Sequence, residues 1–207
     1  FRRVLFRSLA LERGFIPLID TAYQGLGDGL DEDGYGMRMM AERLPELVIA
    51  SSCSKNFGLY RERTGSITFI AETPEQADIV VSQAMSTARS IYSMPPAHGA
   101  LLVSMVLGDD QLRAHWQAEL EATRLRLKSM RSLLCDSIQN NEAGMDFSHI
   151  KEQKGMFSFL GITAMQLERL REEFGIYIVS STRINLAGVN SNNIDYLSQS
   201  MLTVLKS

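Results

Sequence analysis

The sequence predicts an α/β protein: a sheet with helical cover, followed by a smaller α+β unit. Three observations predict it. Short apolar runs bounded by Gly, Pro or polar turns recur at residues 16–19, 47–50 and 66–71, as strands buried within a covered sheet require. A helical stretch at 33–44 separates the first two, and strand, helix, strand at that spacing describes a sheet covered on both faces. After Pro95-Pro96 the pattern changes to a long amphipathic repeat, then to short strands and capped helices.

The elements follow in order. Residues 9–14 read as the last turns of a helix. The octapeptide before them carries three arginines and lacks the apolar core and cleavage site of a secretory signal. Residues 1–8 therefore read as a foreign or artefactual leader, and without an initiator methionine the chain reads as a fragment. In 33–44 the expected inward positions are Tyr35, Met39 and Leu44, with Pro45 just beyond. Further on, Leu112, Trp116, Leu120, Leu127, Met130, Leu134 and Ile138 recur at helical spacing, an amphipathic helix of about 28 residues. A turn at 140–144 leads to a strand at 155–161. Thr163 and Gln166 form a capping box, and Gly175 ends the helix that follows. Residues 176–179 and 182–186 read as two further strands, and Ile194, Leu197, Met201 and Leu205 mark a final helix. The expected division is 1–8 leader, 9–108 the α/β unit, and 109–207 the compact α+β unit.

Composition removes several function classes. With 207 residues and 45% hydrophobic content there is enough material for a real core. A net charge of −3 offers no basic face for nucleic acid. No apolar run approaches the roughly 18 residues that span a bilayer. Two cysteines and three histidines without ligand spacing make neither a disulfide framework nor a metal site, so a reducing cytoplasm is the default.

The chemistry concentrates at strand exits. Lys55 lies in Ser51-Ser52-Cys53-Ser54-Lys55-Asn56-Phe57-Gly58, just past the second strand. A nucleophilic lysine needs desolvation or a neighbouring cation, and Arg63 stands eight residues on. The hydroxyls of Ser51, Ser52 and Ser54, with Arg63, suit a phosphate. Asp20 ends the first strand and suits a protonated pyridine nitrogen, while Tyr23 suits a ring phenolate. In α/β sheets ligands bind outside the carboxyl ends of strands, where Asp20 and Lys55 both fall. Taken singly, each residue has a plainer reading: Lys55 a solvated surface lysine, Asp20 a helix N-cap, Arg89 an exposed helix residue. Trp116 reads as core, and His98, Cys53 and Cys135 as packing residues.

Five stretches taken together carry more. Asp20-Thr21-Ala22-Tyr23-Gln24-Gly25, Ser52-Cys53-Ser54-Lys55-Asn56-Phe57-Gly58-Leu59-Tyr60, Glu62-Arg63-Thr64-Gly65, Tyr92-Ser93-Met94-Pro95-Pro96 and Gly155-Met156-Phe157-Ser158-Phe159 resemble the class I pyridoxal-phosphate aminotransferases. The aspartate and aromatic amino acid branch is the nearest. The resemblance runs from about Leu9 to the C-terminus and implies fold type I: part of the large mixed-sheet domain plus the small C-terminal domain. It implies pyridoxal 5′-phosphate as cofactor, with Lys55 as its Schiff-base lysine and the proton shuttle. Asp20 would hold the pyridine nitrogen, Tyr23 the ring hydroxyl, and Ser52 and Arg63 the phosphate. Thr182-Arg183-Ile184-Asn185-Leu186-Ala187-Gly188 matches the family's α-carboxylate stretch, which assigns Arg183 to every amino acid substrate. Arg89 matches the arginine that reaches across a homodimer to a dicarboxylate side chain. Two positions depart from the family pattern, Met94 and Cys53, neither of them catalytic in it. The family's N-terminal half, with its own phosphate-binding turn and ring-stacking aromatic, has no counterpart before Leu9. The reading is a cytoplasmic transaminase acting on aspartate or an aromatic amino acid with a 2-oxo acid such as 2-oxoglutarate. A lyase or decarboxylase on the same scaffold, or an inactive truncated module, are the alternatives.

Overall fold

The computed structural model describes residues 2–206. The chain divides into two compact units: residues up to Gly25 with Gly29–Leu120, and Leu26–Asp28 with the stretch from Glu121 onward. The boundary expected near residue 108 coincides with the end of a helix, whereas the compact units divide farther on, inside the next helix.

The first unit contains helix α1 (Arg2–Arg13), strand β1 (Leu18–Thr21), helix α2 (Leu30–Ala41), strands β2 (Leu47–Ser52) and β3 (Gly65–Ile70), helices α3 (Pro74–Tyr92) and α4 (His98–Gly108), and the start of α5 (Asp110–Gln139). The sheet runs β1-β2-β3. β1 is parallel to β2, with Asp20 beside Ala50 and Thr21 beside Ser51, so both strands deliver their chemistry to the same end. β3 returns antiparallel on the other side of β2, pairing Gly65 with Ser52. Gly65 is there because a Cβ would sit 2.3 Å from the Ser51 carbonyl oxygen. One side of the sheet is sealed by Ala10, Met39, Met40, Leu44 and Leu47, with Ile19, Ile49 and Ile70 packed against them. Fully burying such a side chain contributes about 1.5–3 kcal/mol.

α2 shows how local chemistry sets an element. Asp31, Glu32 and Asp33 occupy its first turn, where the helix dipole favours them, and Asp33 also accepts from the Gly25 N–H at 2.9 Å. Its inward face differs from the expected one. Met39 is buried as anticipated and Leu44 lies buried just past the helix, but Tyr35 is exposed and Gly34 and Gly36 face inward instead. Helix α3 has no bounds in the sequence reading, where only Arg89 has an exposed-helix alternative, although Thr73 and Gln76 form a full capping box and Pro74 sits at its first turn. None of its residues is buried.

The second unit holds the rest of α5, helix α6 (His149–Glu152), strand β4 (Phe157–Phe159), helix α7 (Ala164–Phe174), strand β5 (Arg183–Asn185), a 3₁₀ turn at Leu186–Gly188 and helix α8 (Ile194–Leu205). Lys154 pairs with Asp28, which ties the 26–28 stretch to this unit. Leu127, Leu134 and Ile138 of α5 recur on one buried face, beside buried Phe147, Ile150, Leu160, Leu170, Leu186, Met201 and Val204. Arg131 is buried among them, with no carboxylate partner among the described residues. Its guanidinium donates to Ser158 Oγ (3.2 Å) and to the Gly155 carbonyl, so its polar atoms are not orphaned. The Thr163–Gln166 capping box opens α7, and Gly175 closes it in the left-handed conformation (φ 63°).

One expected strand does not form. Residues 176–179 alternate half-buried and exposed as a strand would, yet only β4 and β5 pair in this unit. A strand exists by hydrogen-bonding to a neighbour, and among the described residues this segment has no such neighbour. The segment expected at 182–186 does pair, as β5 against β4. Among the described residues, no helix is long and apolar enough to cross a membrane, and no cluster of three or more His, Cys, Asp or Glu could hold a metal ion.

Candidate functional site

Lys55 emerges from the turn that follows β2, half-buried, with its Nζ 5.0 Å from the centre of the Tyr23 ring. Tyr23 follows the parallel neighbour β1, so pairing of the two strands brings the amine and the phenol together. A cation over an aromatic face is worth about 0.5–2 kcal/mol, rising as water is excluded. Asp20, on β1 itself, presents an exposed carboxylate at the same end of the sheet.

The turn is built to hold its shape. The Ser54 backbone N–H donates to Ser52 Oγ at 3.1 Å, and Ser52 Oγ donates to Ser54 Oγ at 3.0 Å. Ser54 is buried, so this hydroxyl pair is fixed rather than solvated. On the other side of Lys55, the Asn56 amide donates to the Gln24 carbonyl (3.3 Å) and stitches the turn to the residue after Tyr23. The Trp116 indole N–H donates to the Asn56 carbonyl (2.8 Å), and its ring stacks on Phe57 with centroids 4.4 Å apart. Asn56 and Trp116 are residues the sequence reading missed as site supports. Helical spacing identifies Trp116 as inward-facing, but an indole that finds a partner 60 positions away is visible only in three dimensions.

Arg63 lies in the loop between β2 and β3, exposed, with its backbone in the left-handed region (φ 52°). Its guanidinium Nη1 donates to the Tyr60 carbonyl at 3.2 Å, leaving the remaining N–H groups of the fork for an anion. The loop is anchored to the Lys55 turn, since the Cys53 N–H donates to the Thr64 carbonyl at 3.0 Å. His98, expected to be a packing residue, is instead exposed, and its Nδ1 lies 3.1 Å from Glu62 Oε2. Cys53 is half-buried, and that burial pushes its thiol up from its ordinary range.

Arg183 stands in the second unit, at the start of β5, with its guanidinium carbon 4.4 Å from the centre of the Phe157 ring. It faces a cavity of about 470 Å³ whose other walls include Tyr177, Val179, Asn185 and Tyr196. A single guanidinium among apolar and aromatic walls suits one carboxylate carried on an organic body. Asn185 shapes the rim, its side-chain oxygen accepting from the Ala187 N–H (3.0 Å). Arg89 lies in the last turn of α3 and is exposed. Six of the eight residues singled out from sequence thus fall within one unit around the ends of β1 and β2 and the loop beyond them. Arg183 has a cavity of its own, and Arg89 projects from an uncovered helix.

The sequence model described as aminotransferase class I and II matches residues 5–201. An aspartate aminotransferase of Haemophilus influenzae is 50% identical over 96% of the chain, and an aromatic-amino-acid aminotransferase of Pseudomonas aeruginosa is 44% identical over 99%. The chain spans about half the length of these relatives, 50% and 51% respectively. Among solved structures, a psychrophilic aromatic amino acid aminotransferase from Psychrobacter sp. B6, cocrystallised with aspartic acid, superposes with a TM-score of 0.95 at 42% identity, over 99% of this chain and 52% of that one. An aromatic-amino-acid aminotransferase from Burkholderia pseudomallei, covalently bound to pyridoxal phosphate, also gives 0.95, at 38% identity over 98% of this chain and 51% of that one.

Proposed function

The chain belongs to the aminotransferase class I and II family, and on that premise we propose that it carries the reactive-lysine portion of a transaminase using pyridoxal phosphate. The observation that carries the reading is Lys55 Nζ over the Tyr23 ring at the exits of two parallel strands.

The donor set suits the cofactor. A phosphorylated hydroxypyridine aldehyde needs an amine, a carboxylate for the ring nitrogen, a hydroxyl for the ring oxygen, and hydroxyls with a guanidinium for the phosphate. Lys55, Asp20, Tyr23, the Ser52–Ser54 pair and Arg63 supply these in one unit. When bound, pyridoxal phosphate supplies an electron sink for negative charge developing at the substrate Cα. The protein's own work is positional and proton-handling. Asp20 would accept from the cofactor's pyridine nitrogen and so favour its protonated form. Tyr23 donates to the ring oxygen. Lys55 Nζ would hold the cofactor's aldehyde carbon and, once displaced, would serve as the general base that takes the substrate Cα proton. Arg183 grips the substrate α-carboxylate through two parallel N–H donors, and Arg89 of a partner copy meets a side-chain carboxylate.

The amino donors in this proposal are aspartate or an aromatic amino acid, the kinds named by the relatives, and the acceptor, on the family resemblance alone, is a 2-oxo acid such as 2-oxoglutarate. A homodimer is supported by the family resemblance and by the exposed apolar side chains of α3. A cytoplasmic location is supported by the two unpaired cysteines. Borohydride reduction of the chain incubated with pyridoxal phosphate, followed by peptide mass spectrometry, tests the centre of the proposal. The tag is expected on the Lys55 peptide and absent in Lys55→Ala. A tag distributed over surface lysines, unchanged in Lys55→Ala, overturns it.

A further inference from the structure

We propose that His98 is a positioning residue for Arg63: by pairing with Glu62 it holds the Glu62-Arg63-Thr64 turn in the shape that points the guanidinium at a phosphate. The inference rests on the phosphate role of Arg63 proposed above.

The turn needs holding. At φ 52° Arg63 occupies a backbone region that a side-chain-bearing residue keeps only when its surroundings over-determine it. From one side the grip comes from the exit of β2, through the Cys53 N–H bonded to the Thr64 carbonyl at 3.0 Å. From the other side it comes from the start of α4. His98 Nδ1 meets Glu62 Oε2 at 3.1 Å, and the N-terminal end of the helix favours the carboxylate further. The next residue, Gly99, makes the approach sterically feasible. A Cβ at Gly99 would lie 1.9 Å from Thr64 Oγ1 and 2.7 Å from Glu62 Cβ. Thr64 Oγ1 in turn donates to the Glu62 carbonyl at 3.3 Å, closing the turn on itself.

The pairing also decides what Glu62 does with its charge. A carboxylate next in sequence to a phosphate-binding arginine is a competitor for that guanidinium. Drawn to His98, it is occupied elsewhere, and the Arg63 fork is bonded within the chain through the Tyr60 carbonyl at 3.2 Å. Removing the imidazole loosens the turn and frees the competitor, and both effects weaken phosphate binding specifically.

The test compares pyridoxal phosphate with pyridoxal, which lacks the phosphate, titrated into the wild-type chain, His98→Ala and His98→Asn. The pair is exposed, so the expected loss for His98→Ala is modest: about two- to five-fold weaker binding of pyridoxal phosphate, with pyridoxal unchanged. His98→Asn keeps a side-chain N–H donor and is expected to recover most of the loss. Equal weakening of both ligands, or no change in either, overturns the proposal. Hydrogen exchange of the Cys53 amide reads the same turn without ligand. Faster exchange in His98→Ala than in wild type supports the clamp, and equal rates overturn it. A wild-type chain that takes up neither ligand overturns the transaminase reading instead, and the exchange rates then decide by themselves whether His98 holds the turn.

Discussion

Lys55 has one neighbour that the sequence pattern anticipated and two supports that it did not. Tyr23 lies under the amine because parallel strand pairing carries it there, whereas the Asn56–Gln24 and Trp116–Asn56 bonds keep the two turns in register. Cys53, two positions before the lysine, gives a residue-scale prediction. Its burial raises the thiol pKa, so the neutral thiol persists above the ordinary range near about 8.5. The thiolate is the reactive form, so alkylation of Cys53 by iodoacetamide is expected to be slow at neutral pH. It should accelerate only as pH climbs past that range, as followed by mass spectrometry of its peptide. Cys135, buried in the second unit, should resist at every pH that leaves the chain folded. Rapid alkylation of Cys53 at pH 7 would contradict the environment described for it.

Among the elements, the helices are set largely by local signals and the strands are not. Thr163 accepts from the Gln166 N–H, and Gln166 reaches back to the Thr163 N–H, a box readable from spacing alone. α7 packs on α8 and buries Gln166 and Leu170, so the cap stabilises more than one turn of helix. Thr163→Ala is therefore expected to lower unfolding stability by about 1 kcal/mol, read as a drop in urea midpoint at unchanged slope. An unchanged midpoint would show that the cap contributes nothing to the folded unit. The segment at 176–179 has the alternating Ile, Tyr, Ile and Val of a strand, but Tyr177 is 82% exposed and the ladder is missing. Strand propensity describes a fit to a paired surface, and propensity cannot supply the partner.

Over the whole molecule, the apolar surface left open is the notable quantity. Ile79, Met85 and Ile91 of α3 are 62%, 68% and 73% exposed, and Leu18 on β1 is 65% exposed. Several large apolar side chains exposed along one helix are a candidate interaction face, and the chain spans half the length of the relatives it matches. With no residue buried, α3 has little to hold it against local opening. Its amides are expected to exchange with solvent much faster than those of α8, which has seven buried residues. Protection of α3 comparable to α8 would mean that its face is covered in solution.

The division between what sequence and tertiary structure decided follows from the range of the forces. Short spacings determined the serine-rich turn that carries Lys55, the two strand exits that present Asp20 and Lys55, the caps of α7, and the motifs that mark the family. Each single motif among these is encoded within a few neighbouring residues, even where the motifs themselves lie far apart along the chain. The long helix around Leu127 and Leu134 was legible for the same reason. Only the tertiary structure decided that Lys55 stands over Tyr23, that Trp116 supports Asn56, that His98 is a surface partner of Glu62, and that 176–179 stays unpaired. Each of these depends on groups far apart in sequence, whose meeting is set by strand pairing and by the closure of loops between them.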